Sequence, residues 1–457
     1  MADVRDSHEA WQAFRLETLD SFWDLVVHLS GDRKIRLAFA DLRPDEVQAL
    51  LFHALYYDFI HDQFDGKVNT SRVGFSSYIG LLGHAGLSRP SCTTKLDATC
   101  PPLNTDDIIS IGFFHRHPEF LQEVSKNIRI REVDVTRWTR RPKLGETIPW
   151  IYKLRLPRTS IQLARLVSAA RTLGSIRTFP RVVLTSGHAL YGNRYGDGGS
   201  IRNWMAYAKV RGSLVVALQP GFVHGFASYI DQVEYEGRLA DTYLAWGEIS
   251  SQMPAHKYDF GSLYGARNIQ STCEPGRQVV LPQVPANSSP RPISFYWSMT
   301  RASFVSEMPH IEHFLLTLPN EQGLTLRCKS VDSPFYCQLS RVQGLQQFQL
   351  DSGDVNASGT PKSHEENWVL YPSTALVELN PQSDIHLRLI PALGSFYPNE
   401  EKCFKSIHSV SATTGSRLLQ EELLSRIRRV TPMQGAQRLL QYLESIGAVD
   451  PTRPPTS

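Results

Sequence analysis

The sequence predicts an α/β protein built from more than one domain, and three observations carry that reading. Between residues 150 and 285, short apolar runs ending in small polar residues alternate with stretches of helical periodicity, as in a parallel sheet covered on both faces. The same alternation resumes after a Pro-rich stretch that ends near residue 292. A chain of 457 residues also exceeds one ordinary core, at about 150 residues per domain.

Taken in order, residues 8 to 65 read as packed helices. Trp11, Phe14, Leu16, Leu19, Phe22, Leu25 and Val26 recur at helical spacing, and Leu50 to Tyr57 is a second apolar block followed by Phe59 and Ile60. From Gly66 to Thr105 the chain is rich in Gly, Ser, Pro and Thr and reads as a long loop. Arg181 to Ser186 is then a strand, Ile201 to Val210 a helix, Gly212 to Leu218 the next strand, and Thr242 to Trp246 a further one ending at Gly247. Cys273 to Pro292, with five prolines, has the composition of a linker. Beyond it, Pro292–Trp297 and Thr325–Cys328 read as strands and His310–Leu318 as a helix. Asn367 to Glu378 reads as a strand running into a helix through Pro372-Ser373-Thr374. Ser416 to Val449 is an amphipathic helix broken at Pro432 and resumed at Gln434, and the last residues are a tail. The expected division is an N-terminal α/β domain over 1–270, a linker over 271–292, a second α/β domain over 293–430, and a helix and tail over 431–457.

Composition excludes several classes. Forty-eight basic against 45 acidic residues give a net charge of +3, too balanced for non-specific binding to nucleic acid. Local basic clusters occur at 126–131 and 137–143, which suit a solvated surface or an anionic ligand. Six cysteines lack C-x-x-C spacing, so neither a zinc cage nor a disulfide framework is indicated. With no signal-peptide pattern and no run of about 18 apolar residues, the expected location is the cytoplasm, at most peripheral to the inner face of a membrane. Phosphate-loop, nucleophile-elbow, zinc-protease and dinucleotide-fingerprint strings are absent.

Chemistry is expected at strand ends, because open α/β sheets bind ligands beyond the carboxyl ends of their strands. Three ends qualify: Thr185 to His188, followed by Asn193 in a Gly-rich segment; Gln219 to Gly225; and Tyr371 to Thr374. His188 and His224 suit proton transfer because imidazole titrates near neutrality, with Glu234, Glu236 and Asp241 as alternative bases. Ser373 and Thr374 suit phosphate oxygens and Glu378 a ribose. Ordinary loop, capping and solvated-surface roles fit the same residues.

The string Gln219-Pro220-Gly221-Phe222-Val223-His224-Gly225, followed by Glu236, Asp241, Tyr243, Trp246 and Gly247, resembles a family of bacterial surface-polysaccharide transferases marked by Gln-His-Gly-Gly and then Glu-x4-Asp-x-Tyr-x2-Trp-Gly. Trp204, Ala206, Ala208 and Gly212 are similar to its preceding helix, and Leu51 to Asp65 to its aromatic N-terminal helix. The second half of the motif fits. In the first half Pro220 replaces His, Phe222 replaces Gly and His224 replaces Tyr.

The resemblance implies a GT-B-like architecture, with two Rossmann-like domains facing a central cleft, and a glycosyltransferase that moves a sugar from a sugar nucleotide onto a surface glycan or lipid-linked precursor. No metal or other cofactor is expected. His224, His188, Glu236 and Asp241 are then the catalytic candidates; Asn193, Gln219, Gly221 and Tyr229 the substrate-binding ones; Arg301, Ser373, Thr374 and Glu378 those for the nucleotide. A phosphoalcohol transferase of the teichoic-acid type and a catalytically silent partner in polysaccharide assembly are the alternatives.

Overall fold

The computed structural model describes residues 8–64, 104–105, 107–114, 117–133, 157–186, 198–221, 231–247, 255–263, 274–280, 301–318, 324–327, 338–339, 341, 349–351, 364–369, 384–387 and 427–449. The N-terminal helices are α1 (His8–Gly31), α2 (Arg33–Ala38) and α3 (Pro44–Phe64). Then follow β1 (Ile108–Ile111), α4 (Pro118–Ser125), β2 (Ile130–Glu132), α5 (Arg158–Gly174), β3 (Val182–Ser186), α6 (Gly198–Val210), β4 (Leu214–Leu218), α7 (Asp231–Leu239), β5 (Thr242–Ala245) and β6 (His256–Asp259).

These six strands form one sheet in the order β2-β1-β3-β4-β5-β6, parallel throughout. The central strands are short apolar runs because both of their faces are covered. Strand periodicity then sorts the side chains. Ile109, Ile111, Val183, Val215, Ala217, Tyr243 and Ala245 enter one core with α1, α3, α5, α6 and α7. Ile108, Val182, Leu184, Val216, Leu218 and Leu244 enter a second core with α4 and the C-terminal helix. The result is a doubly wound, three-layered unit.

Helix α6 is buried without interruption from Ile201 to Ala208, because α3 and α5 cover the side turned from the sheet. Aromatic rings lock α1 to α3, with Phe22 4.9 Å from Phe59 and 5.2 Å from Tyr56 between centroids. Asp32 caps α2 by accepting from Lys34 N and Ile35 N.

A second sheet has the order β11-β10-β7-β8-β9, also parallel, from β7 (Glu274–Val280), β8 (Leu324–Arg327), β9 (Gln349–Asp351), β10 (His364–Val369) and β11 (Asp384–Leu387). Helix α8 (Arg301–Thr317) reaches it through Phe314, whose ring lies edge-on to Trp368 at 5.1 Å.

Several expectations change. The stretch read as a linker contains β7, the middle strand of the second sheet; Gly276, at φ 101°, lies where the pairing with β10 shifts register, and Arg277 to Val280 pair with both neighbours. The strand β1 lies just past the expected loop, and α4, β2 and α5 occupy stretches to which no element was assigned. Of the basic cluster at 126–131, Lys126 pairs with Glu123 and Arg131 with Asp107, both on the unit's own surface. The cluster at 137–143, the strand at 292–297 and the helix after Ser373 lie outside the described residues.

The C-terminal segment departs furthest from expectation. Ile427, predicted on a helix face, is in extended chain bridged to Gly247, and Arg429 is bridged to Ser262. Helix α9 (Pro432–Ser445) starts two residues earlier than expected, with Pro432 in its first turn and a capping box between Thr431 and Gln434. It packs on α4 in the second core of the first sheet, where Gly435 sits so close to Phe120 and Leu263 that an added Cβ would lie 2.8 Å from Leu263 Cδ2. Residues 427–449 therefore pack with the first sheet, where 427–430 were expected in the second domain and 431–457 as a separate helix and tail.

Candidate functional site at the carboxyl edge of the first sheet

All six strands end on the same edge because all are parallel. From β1 the chain steps outward to β2 and then returns to β3 on the other side of β1, so the strand order reverses between β1 and β3. In doubly wound sheets such a reversal marks the crevice where ligands usually bind.

Local chemistry fits the two strand ends together. Gly112 follows β1 at φ 66°, a conformation that favours glycine. Ser186 Oγ donates to its carbonyl at 3.0 Å, and Thr185 Oγ1 donates to Ile111 O at 3.3 Å. Phe113 and Phe114 then turn into the second core against Phe120. The register Ser186↔Leu218 brings the ends of β3 and β4 level. Ser186 and Leu218, the last residues of β3 and β4, thus lie side by side. His188, Asn193, His224 and Tyr229 themselves lie outside the described residues.

Gln219 is buried and committed to the fold. Its Nε2 donates to Gly221 O at 2.9 Å, and its Oε1 accepts from Trp246 N at 3.0 Å, so one amide ties the loop after β4 to the end of β5. Gly221 is buried in the same turn. Glu236 is 0% exposed on α7. Asp241 lies at the opposite, amino edge, just before β5: Oδ1 pairs with Lys209 at 2.7 Å and Oδ2 accepts from Val215 N at 2.8 Å. With both oxygens engaged there, Asp241 anchors β4 to β5 and is not brought to the crevice. Tyr243 and Trp246 are fully enclosed in the core. Asp241, Tyr243 and Trp246 thus serve packing and strand registration. Arg301 opens α8, while Ser373, Thr374 and Glu378 lie outside the described residues.

The carboxyl edge also carries Asp62 and, one turn below it, Asp58, which the sequence did not single out. Helix α5 starts after Pro157, which provides no side-chain cap. Asp62, 96 residues upstream on α3, supplies one: it accepts from Arg158 N at 2.7 Å, Thr159 N at 2.8 Å and Thr159 Oγ1 at 2.6 Å. The positive end of α5 is therefore already met by an internal carboxylate. Burial nonetheless holds the Asp62 carboxyl above its usual range against those hydrogen bonds.

One helical turn back, Asp58 pairs with the buried Arg202 at 2.7 Å, and the guanidinium lies 4.8 Å from the centre of the Tyr57 ring. Glu234 on α7 accepts from Arg238 Nε at 2.6 Å and from Tyr56 OH at 3.3 Å, and lies 3.5 Å from Arg15. Burial first, and then Glu234, push the Tyr56 hydroxyl pKa upward. His53 is held neutral, its pKa lowered to about 3 by burial, with Lys209 and Arg238 adding to the effect. These contacts fasten α7 and α6 to α1 and α3. Their sequence signal was faint, since Asp58 and Asp62 are single acids within the apolar pattern of α3.

Among the described residues no group of three or more His, Cys, Asp and Glu side chains gathers where a metal ion could sit. No helix among them is long and apolar enough to cross a membrane. Compared with known proteins, the chain matches no family model, no curated protein and no solved structure.

Proposed function

We propose that this protein is a glycosyltransferase that moves a sugar from a sugar nucleotide onto a surface polysaccharide or its lipid-linked precursor, working without a metal ion between two Rossmann-like domains. The observation that carries this reading is the level, adjacent ending of β3 and β4 next to the strand-order reversal, with a histidine two residues beyond Ser186 and another six beyond Leu218.

In this mechanism His224 removes the proton of an acceptor hydroxyl, with His188 as the alternative base. The hydroxyl oxygen attacks the anomeric carbon, and the bond from that carbon to the nucleotide's phosphate oxygen breaks with inversion, releasing the nucleotide. Ser373, Thr374, Glu378 and Arg301 hold the nucleotide from the second sheet's side, and Asn193, Gly221 and Tyr229 the acceptor. Hydroxyls and helix amides stabilise the departing phosphate. Gln219 acts by positioning, since both ends of its amide are already engaged.

A panel of UDP-, GDP- and CMP-sugars tests the reading, with nucleotide release and thermal shift read on the same protein. One donor should stabilise the fold and turn over. His224→Asn should abolish release while keeping the shift, and Ser373→Ala with Thr374→Ala should lose the shift. A panel without any shift would leave the silent-partner reading. That reading draws on the structural commitment of Gln219 and Asp241 and on Pro220 in place of the family's histidine.

A further inference from the structure

The segment Ile427–Val430 runs past the carboxyl ends of β5 and β6. Arg428 N donates to Trp246 O at 2.8 Å, Ser262 N to Arg428 O at 2.6 Å, and Val430 N to Ser262 O at 3.0 Å. This places two consecutive arginines on the edge where the candidate site lies. Arg428 is 48% exposed and pairs with Asp259 at 2.9 Å.

Arg429, its neighbour in extended chain, is directed to the other face. Its Nη2 is shut off from solvent and has no hydrogen-bonding partner among the described residues. Burial pulls its pKa below the usual guanidinium range, and no carboxylate among the described residues pairs with it. Several other arginines of this unit have counter-ions: Arg202 has Asp58, Arg238 and Arg15 have Glu234, and Arg131 has Asp107. A partly buried cation without an anion is costly to maintain, so its counter-charge is expected from outside the chain.

We propose that Arg429 is an anion-binding residue that takes a phosphoryl group of the ligand at the carboxyl edge of the first sheet, beside the end of β6. A guanidinium suits this because it keeps its charge at any working pH and its N–H groups give charge-assisted hydrogen bonds to phosphate oxygens. The reversal of strand order, the carboxyl ends of β3 and β4, and Arg429 then share one edge. In the transferase reading this residue stands on the acceptor side, opposite the nucleotide contacts assigned to Ser373 and Thr374. The anion site rests on the carboxyl edge being the ligand side, not on sugar transfer.

The test is thermal unfolding of the full chain with inorganic pyrophosphate, against sodium chloride at equal ionic strength. The wild type should gain at least about 2 °C beyond the salt control. Arg429→Met should lose that gain while melting no lower than the wild type without anion, because it removes an uncompensated charge. Arg429→Lys, which keeps the charge without the guanidinium, should retain a smaller gain and covers the case in which the methionine variant fails to fold. Arg428→Gln should respond as the wild type does.

Parallel arms with nucleoside diphosphates and with an isoprenoid diphosphate in detergent assign the phosphate to donor or acceptor, by which of them gives a gain dependent on Arg429. An unresponsive wild type overturns the proposal, as does an Arg429→Met protein that melts lower yet keeps the full pyrophosphate gain. Pyrophosphate binding dependent on Arg429, with no turnover of any sugar nucleotide, would sink the transferase reading and leave the anion site standing.

Discussion

Removing the Asp62 carboxylate should cost more stability than any surface acid can, because one side chain closes three buried donors. It is fully buried, and Arg158 N, Thr159 N and Thr159 Oγ1 approach it within 2.6–2.8 Å. Losing a helix N-cap typically costs about 1 kcal/mol. A buried donor left without an acceptor costs about 1–3 kcal/mol. The Thr159 hydroxyl can rotate to a new acceptor and a water can enter the vacated space, so Asp62→Ala should lose about 3–4 kcal/mol. Asp62→Asn keeps one carbonyl oxygen for the two amides and should lose about 1–2 kcal/mol. Urea unfolding, followed by tryptophan fluorescence and far-UV circular dichroism together, gives both numbers. The order Ala worse than Asn worse than wild type is required. An Asp62→Ala protein within about 1 kcal/mol of wild type would refute the view that α5 is capped from α3.

Two further perturbations test other parts of the fold. Gly261 has φ 103°, and an added Cβ would lie 2.7 Å from Val430 Cγ1 and 3.1 Å from Arg428 O, so Gly261→Ala should lower stability by about 2–4 kcal/mol through backbone strain and displacement of the C-terminal segment; a melting temperature equal to wild type would contradict that close approach. With the His53 pKa lowered to about 3 against 6.5 in the unfolded chain, the unfolded state binds the extra proton between those values. Its contribution is therefore complete above pH 6.5 and is lost as pH falls toward 3, by on the order of 4 kcal/mol across the window. His53→Leu should flatten the pH dependence of the urea midpoint over that range, and an unchanged slope would show that His53 is not the group responsible.

The parts of the fold that were legible in the sequence are those whose signals are local. The runs at 182–186 and 214–218 are nearly pure β-branched and aliphatic residues bounded by polar turns, and α6 lies between them with an apolar pattern that fits burial. Strand β1 was missed because Ile-Ile-Ser-Ile is only four residues long and follows a Pro-, Thr- and Asp-rich stretch. Strand β7 was hidden by the prolines around it. The C-terminal bridge could not be read at all, since Ile427 gains its extended form from Gly247, a partner without any sequence link to it.

At the site the same limit applied. Gln219 looked like a ligand contact because its partner Trp246 is 27 residues away, and Asp241 looked like a base because Lys209, 32 residues before it, shows no charge pattern in the string. Arg429 drew no notice because a lone arginine is informative only once the carboxylates around it can be seen to belong to others.

The return of residues 427–449 to the first sheet sets an order of events during synthesis. When Leu263 leaves the ribosome, every strand of that sheet exists, yet the apolar layer around Phe120, Phe260 and Leu263 still lacks its helix. About 160 residues must be translated before Ile427 reaches Gly247, on the order of ten seconds or more at ordinary elongation rates. Throughout that interval the nascent chain presents an unfinished hydrophobic face, while the whole second sheet is being made. The unit translated first is therefore among the last to be finished, and a chaperone that shields that face until α9 arrives would improve the yield of folded protein.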